Sequence, residues 1–136
     1  NPKKYKGDSQ NIIYRSLWER KFMNYCDLNE NILEWASEEF WIPYLDPTTN
    51  RVRRYFPDFF IKYKDKDSNI RRSVIEVKPM RETLEPKVTK GKSRKTMINE
   101  SLTYVKNQAK WKAAREFCDD RKLEFKIMTE KELGIR

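Results

Sequence analysis

The chain has 136 residues, enough for one domain that buries its own core without disulfides or a structural metal. Thirty Lys and Arg against 21 Asp and Glu give a net charge of +9, and there is no His. That absence excludes a Ser-His-Asp triad, a Cys-His dyad and His-ligated zinc, so acid–base or metal work must rest on carboxylates, Lys, Tyr or Cys.

Residues 1–12, with Lys3, Lys4, Lys6 and Gly7, read as a basic, loosely ordered arm. Ser16-Leu17-Trp18-Glu19 fits a capping box and opens a helix. Leu17, Trp18, Phe22 and Tyr25 give that helix an apolar face, and Asn29 and Asn31 end it. Ile32 to Tyr44 reads as extended, and Asp46 to Asn50 as a turn. Arg51 to Tyr63 is a second strand, Lys64 to Asn69 a polar turn, and Ile70 to Lys78 a third strand stopped by Pro79. Residues 80–95 lack apolar periodicity and read as a mobile basic loop. A long helix spans Thr96 to Arg121, with Ile98, Leu102, Val105, Ala109, Ala113 and Phe117 as its apolar stripe. Leu123 to Met128 is a short strand, and Thr129-Glu130-Lys131-Glu132 is a second capping box. The order is helix, three strands, helix, strand, short helix. It predicts a single mixed α/β domain over 1–136, with an antiparallel meander at its centre.

Cys26 and Cys118 are too few for a disulfide framework and read as buried reduced thiols of an intracellular protein. No apolar run is long enough to cross a membrane. Aromatic residues make up 13% beside 38% charged residues, which separates a folded basic domain from a disordered basic tail. A positive fold calls for a negative partner, nucleic acid first, although charge alone also fits a soluble protein that happens to be basic.

The chemistry concentrates in the middle hairpin. With its turn centred on Asp67, facing residues have numbers that sum to 134, which sets Asp58 opposite Glu76. Lys78, two residues further, projects from the same face, while Ile75 and Val77 point into the core. A slip of one residue would drive one strand's charges inward. Two adjacent carboxylates repel unless a cation lies between them. Oxygen ligands of this kind suit Mg²⁺, with Mn²⁺ as a substitute. Lys78 could orient an attacking water or neutralise developing charge. Together these residues describe phosphodiester hydrolysis. Each part alone is ordinary: Pro57-Asp58 as a strand entry, Glu76-Val77-Lys78 as an alternating solvated strand, Glu19 as a capping partner.

Glu19, Pro57-Asp58 and Glu76-Val77-Lys78 together resemble the PD-(D/E)XK nuclease superfamily, whose core has the order αβββαβ. Ser16 to Phe22, Arg54 to Phe59 and Ile75 to Pro79 are similar to TnsA-type endonucleases. Nearly the whole chain, including Asn107 to Trp111 and Phe125 to Ile127, resembles nucleases that act in head completion of contractile-tailed bacteriophages. The resemblance implies a restriction-endonuclease-like α/β fold, a central mixed sheet flanked by helices, with Asp58 and Glu76 as metal ligands, Lys78 as the catalytic lysine and Glu19 as a further acid. TnsA-like enzymes can carry Gln as the second acid, whereas this chain keeps Glu76. It also implies work on DNA in the host cytoplasm or on the virion, beside head, portal or neck proteins.

Contacts to double-stranded DNA are expected from Arg15 and Arg54 and from the loop cations Lys87, Lys90, Lys92, Arg94 and Lys95. Gln108 lies at helical spacing between Tyr104 and Lys112; it reads equally as a site residue or as part of a solvated stripe. No base-reading motif is visible, so little sequence preference is expected. One such site cuts one strand, so double-strand cutting calls for a homodimer or two events. Rival readings are a transposon-end, restriction or junction-resolving endonuclease, or a non-catalytic DNA-binding protein of virion assembly.

Overall fold

The computed structural model describes residues 17–37 and 39–133. The N-terminal arm, Arg15 and the Ser16 cap lie outside the described residues, as does the Leu17 side chain. Helix α1 (Leu17–Leu28) leads into β1 (Ile32–Ser37). Then come β2 (Ile42–Asp46), β3 (Arg51–Tyr55), β4 (Phe59–Lys64) and β5 (Ile70–Val77). Helices α2 (Met80–Thr83) and α3 (Arg94–Asp120), strand β6 (Glu124–Met128) and helix α4 (Glu130–Leu133) complete the chain.

The main sheet has the order β1-β4-β5-β6. Its first three strands are antiparallel, and β6 lies parallel to β5, which makes the sheet mixed. A parallel neighbour requires a crossover, and α3 supplies it. On one face α1 packs Phe22, Met23 and Cys26 against Trp35, Phe59, Ile61, Ile75 and Val77. On the other, Trp111 and Ala114 of α3 form a second core with Ile42, Tyr44 and Tyr55. This is the restriction-endonuclease-like arrangement that the family resemblance implied. Both cysteines are buried, as expected.

The β4–β5 hairpin has the anticipated register. Phe59 faces Ile75 and Lys64 faces Ile70, so partners sum to 134. The five-residue turn is organised by Asp65, whose Oδ1 accepts the N–H groups of Asp67 and Asn69, both at 2.9 Å. The second capping box is also present: Glu132 Oε2 accepts from the Thr129 N–H and hydroxyl, both at 2.7 Å.

Four expectations need correction. The two long extended runs each break in two: Ile32–Tyr44 into β1 and β2, and Arg51–Tyr63 into β3 and β4. Strands β2 and β3 pair with each other as a separate two-stranded ribbon. Residues 80–95 are not one loop, because α2 follows Pro79 directly and Arg94 and Lys95 belong to the first turn of α3, capped by Ser93. The apolar stripe of α3 is rotated. Its buried positions are Asn107, Trp111, Ala114 and Cys118, whereas Ile98, Leu102 and Val105 are exposed. The first half of the helix runs past the edge of the core, so its apolar residues have nothing to pack on. On α1, Met23 and Cys26 take the inward face, and Tyr25 is half exposed.

Candidate active site

The segment Phe56-Pro57-Asp58 is where the chain passes from the ribbon into the main sheet. Pro57 offers no N–H to either ladder, so pairing stops after Tyr55 and resumes at Phe59. Asp58 stands at that restart, on the edge of β4. Its Oδ2 accepts the Val77 N–H at 2.8 Å, which ties it to the end of β5. Glu76 is the next residue back along β5 and projects to the α3 face, opposite Ile75 and Val77. Lys78 continues the strand, its N–H donating to the Met128 carbonyl at 3.0 Å. Asp58, Glu76 and Lys78 therefore line one pocket of about 240 Å³. Arg54, Tyr55, Asn107 and Lys110 complete its wall.

The pocket is electrostatically tense. Asp58 is 9% exposed and Glu76 4%. Burial, and then the neighbouring Glu76 carboxylate, hold the Asp58 carboxyl well above its ordinary range, against the pull of the Val77 N–H and Lys78. Tyr55 donates its hydroxyl to Glu76 Oε2. Burial and the Glu76 and Asp58 charges push the Tyr55 phenol upward, so it stays a proton donor. Lys110 enters from α3, with Nζ 5.9 Å from the ring centroids of both Tyr44 and Tyr55. Burial lowers its pKa, the Glu76 charge raises it, and Lys78 adds a further lowering. Among the described residues no third His, Cys, Asp or Glu joins the two carboxylates as a ligand group.

Glu19 lies in the first turn of α1, the helix packed on the opposite face of the sheet, and does not line this pocket. Gln108 does not line it either; its neighbours Asn107 and Lys110 do. Arg54 stands at the rim, its guanidinium 4.8 Å from the Trp41 ring centroid. Lys92 is paired with Glu100 at 2.9 Å, and Lys87, Lys90, Arg94 and Lys95 are exposed. Arg15 lies outside the described residues.

Sequence reasoning missed Tyr55, Asn107 and Lys110. A buried Tyr hydroxyl needs a partner, and the hairpin had already placed the Asp58 and Glu76 carboxylates together. Asn107 and Lys110 are three apart on the α3 face that Trp111 buries, but the stripe chosen from periodicity pointed elsewhere.

The molecule is thus an α/β domain whose hairpin delivers Asp58, Glu76 and Lys78 to one pocket. The family model for the TnsA-like endonuclease N-terminal domain matches residues 29–130, and the chain belongs to that family. Among curated proteins the chain is similar to the head completion nuclease of Enterobacteria phage T4. Identity is 38% over 133 residues, covering 96% of this chain and 86% of the phage protein.

Proposed function

We propose that this protein is a Mg²⁺-dependent DNA endonuclease with little sequence preference, acting on DNA left protruding after packaging during phage head completion. The observation that carries the chemistry is the shared pocket of Asp58, Glu76 and Lys78. The head completion role rests on the phage relative.

The donor set fits a small divalent cation. Two buried carboxylates face each other at a cost, visible in the raised Asp58 carboxyl, and a cation between them would remove it. Mg²⁺ is commonly held by one or two carboxylates, with water and phosphate oxygens completing its shell, so two protein ligands suffice. Asp58 and Glu76 would hold it, with Mn²⁺ as a substitute. Bound there, the ion would supply Lewis-acid stabilisation of a phosphoryl oxygen and a more acidic water.

The chain's own side chains do the rest. Lys78 orients the attacking water or offsets negative charge as it develops on the phosphate. Lys110 brings a second cation from the opposite wall. Tyr55, by donating to Glu76, keeps that carboxylate turned toward the pocket. Arg54 at the rim attracts the backbone of double-stranded DNA, as do the exposed Lys87, Lys90, Arg94 and Lys95. Such an enzyme would work in the host cytoplasm on the assembling virion, recruited by head, portal or neck proteins. A homodimer would let it cut both strands.

The test is cleavage of linear and supercoiled DNA at low salt, in Mg²⁺ and in EDTA. Cutting in Mg²⁺ that is lost in EDTA, in Glu76→Ala and in Lys78→Ala is the expected result. Full activity of either variant overturns the site. A wild type that binds DNA but cuts under no metal favours a structural role.

A further inference from the structure

A second and larger cavity, of about 840 Å³, lies between the 81–92 segment and the first half of α3. It meets the carboxylate pocket at Asn107, a buried side chain that lines both. The segment after Lys78 is held in place at its start: the Met80 N–H donates to Glu130 at 3.0 Å, so α4 anchors α2. Its far end is tied to α3 by the Lys92–Glu100 pair at 2.9 Å. The cavity is therefore a built groove beside the carboxylate pocket, with Asn107 in the wall of both.

The lining says what the groove takes. Arg81, Lys87 and Lys92 are matched by Glu82, Glu85 and Glu100, so its walls are close to neutral. Arg81, Lys87 and Lys92 are the cations the groove offers to backbone phosphates. The volume falls within the range of about 300–1,000 Å³ that encloses a small ligand, too little for a double helix. Between the charges stand Thr89, Thr96, Asn99, Thr103 and Tyr104, which offer neutral hydrogen-bonding groups beside apolar surface. That mixture matches nucleobases, with polar edges and flat apolar faces. Tyr104 lines the cavity, and its ring stacks on no other aromatic ring among the described residues.

The geometry points to this groove as a binding site for an unpaired DNA strand running from the scissile phosphate past Asn107 to Tyr104. The enzyme then prefers a junction between duplex and single strand: the duplex lies against the cationic rim and the tail enters the groove. Where cutting falls relative to the tail rests on the nuclease reading above; binding of the tail does not.

The test compares a labelled hairpin duplex carrying an unpaired 5′ or 3′ tail with the same hairpin blunt-ended. Binding is read by fluorescence anisotropy in EDTA, and cutting is read in Mg²⁺. Wild type should bind one tailed hairpin about tenfold tighter than the blunt one, the size of a single stacking contact. Tyr104→Ala should bring that ratio close to one, and Tyr104→Phe, which keeps the ring, should preserve it. Asp58→Asn should keep the tail preference without cutting. Equal affinity of wild type for tailed and blunt hairpins, or an unchanged ratio in Tyr104→Ala, overturns the assignment. Tail preference without cutting under any metal supports the groove and removes the nuclease reading. Cutting without tail preference does the reverse.

Discussion

Replacing Asp58 by Asn should stabilise the metal-free protein while abolishing its activity. The reason is the proximity of two buried carboxylates. The Asp58 carboxyl is raised first by burial and then by Glu76, so its ionised form opposes folding. Between the ordinary value of 3.8 and the raised native value, the native state binds more protons than the unfolded one. Stability of the wild type therefore falls as pH rises through that window. Each tenfold change in proton affinity is worth about 1.4 kcal/mol. Allowing for relaxation of the pocket, the Asn variant should gain about 1–3 kcal/mol at neutral pH. For a domain of this size that is a rise in Tm of about 3–12 °C. Asn can still accept the Val77 N–H through its amide oxygen, so the tie to β5 survives. The assay is thermal unfolding in EDTA from pH 4 to 8, repeated with Mg²⁺. The two melting points should converge near pH 4 and separate as pH rises. Mg²⁺ at about 100 times its Kd should add about 2.7 kcal/mol to the wild type and far less to the variant. A variant that melts at or below the wild type at pH 7 in EDTA would refute the reasoning.

Four further outcomes are expected. Tyr55→Phe removes a hydrogen bond to a buried carboxylate, so it should cost about 1–3 kcal/mol in urea unfolding and lower the cutting rate with DNA affinity unchanged. Trp111→Ala should cost about 3–5 kcal/mol, because the side chain is 1% exposed at the centre of the second core. Leu102→Ala, at a site 45% exposed, should stay within about 0.5 kcal/mol; the reverse order would restore the apolar stripe that periodicity suggests. If about six phosphates are neutralised, DNA affinity should fall about a thousandfold between 50 and 200 mM salt, and a flat salt response would remove the backbone-contact reading.

The hairpin that builds the site was legible in the sequence. Alternation along Ile75 to Lys78, the turn at Asp65 to Asn69 and the cost of turning charges into the core favour the observed register over a slip of one residue. That register puts Asp58 beside Glu76, with Lys78 next in line. The capping box at Thr129 was legible because its two partners are only three residues apart. What tertiary structure decided was everything set by distant neighbours. The split of both long extended runs depends on which sheet each half joins, and strand propensity is silent on that. The rotation of α3 depends on where the core ends along its length, so Ile98 and Leu102 look like core and are not, while Asn107 looks polar and is buried. Tyr55 and Lys110 reach the carboxylates only because the β2–β3 ribbon and α3 close over the same face of the sheet. Local patterns carry short-range geometry. The partners of a buried charge are chosen by packing between elements far apart in the chain, and no local pattern encodes that choice.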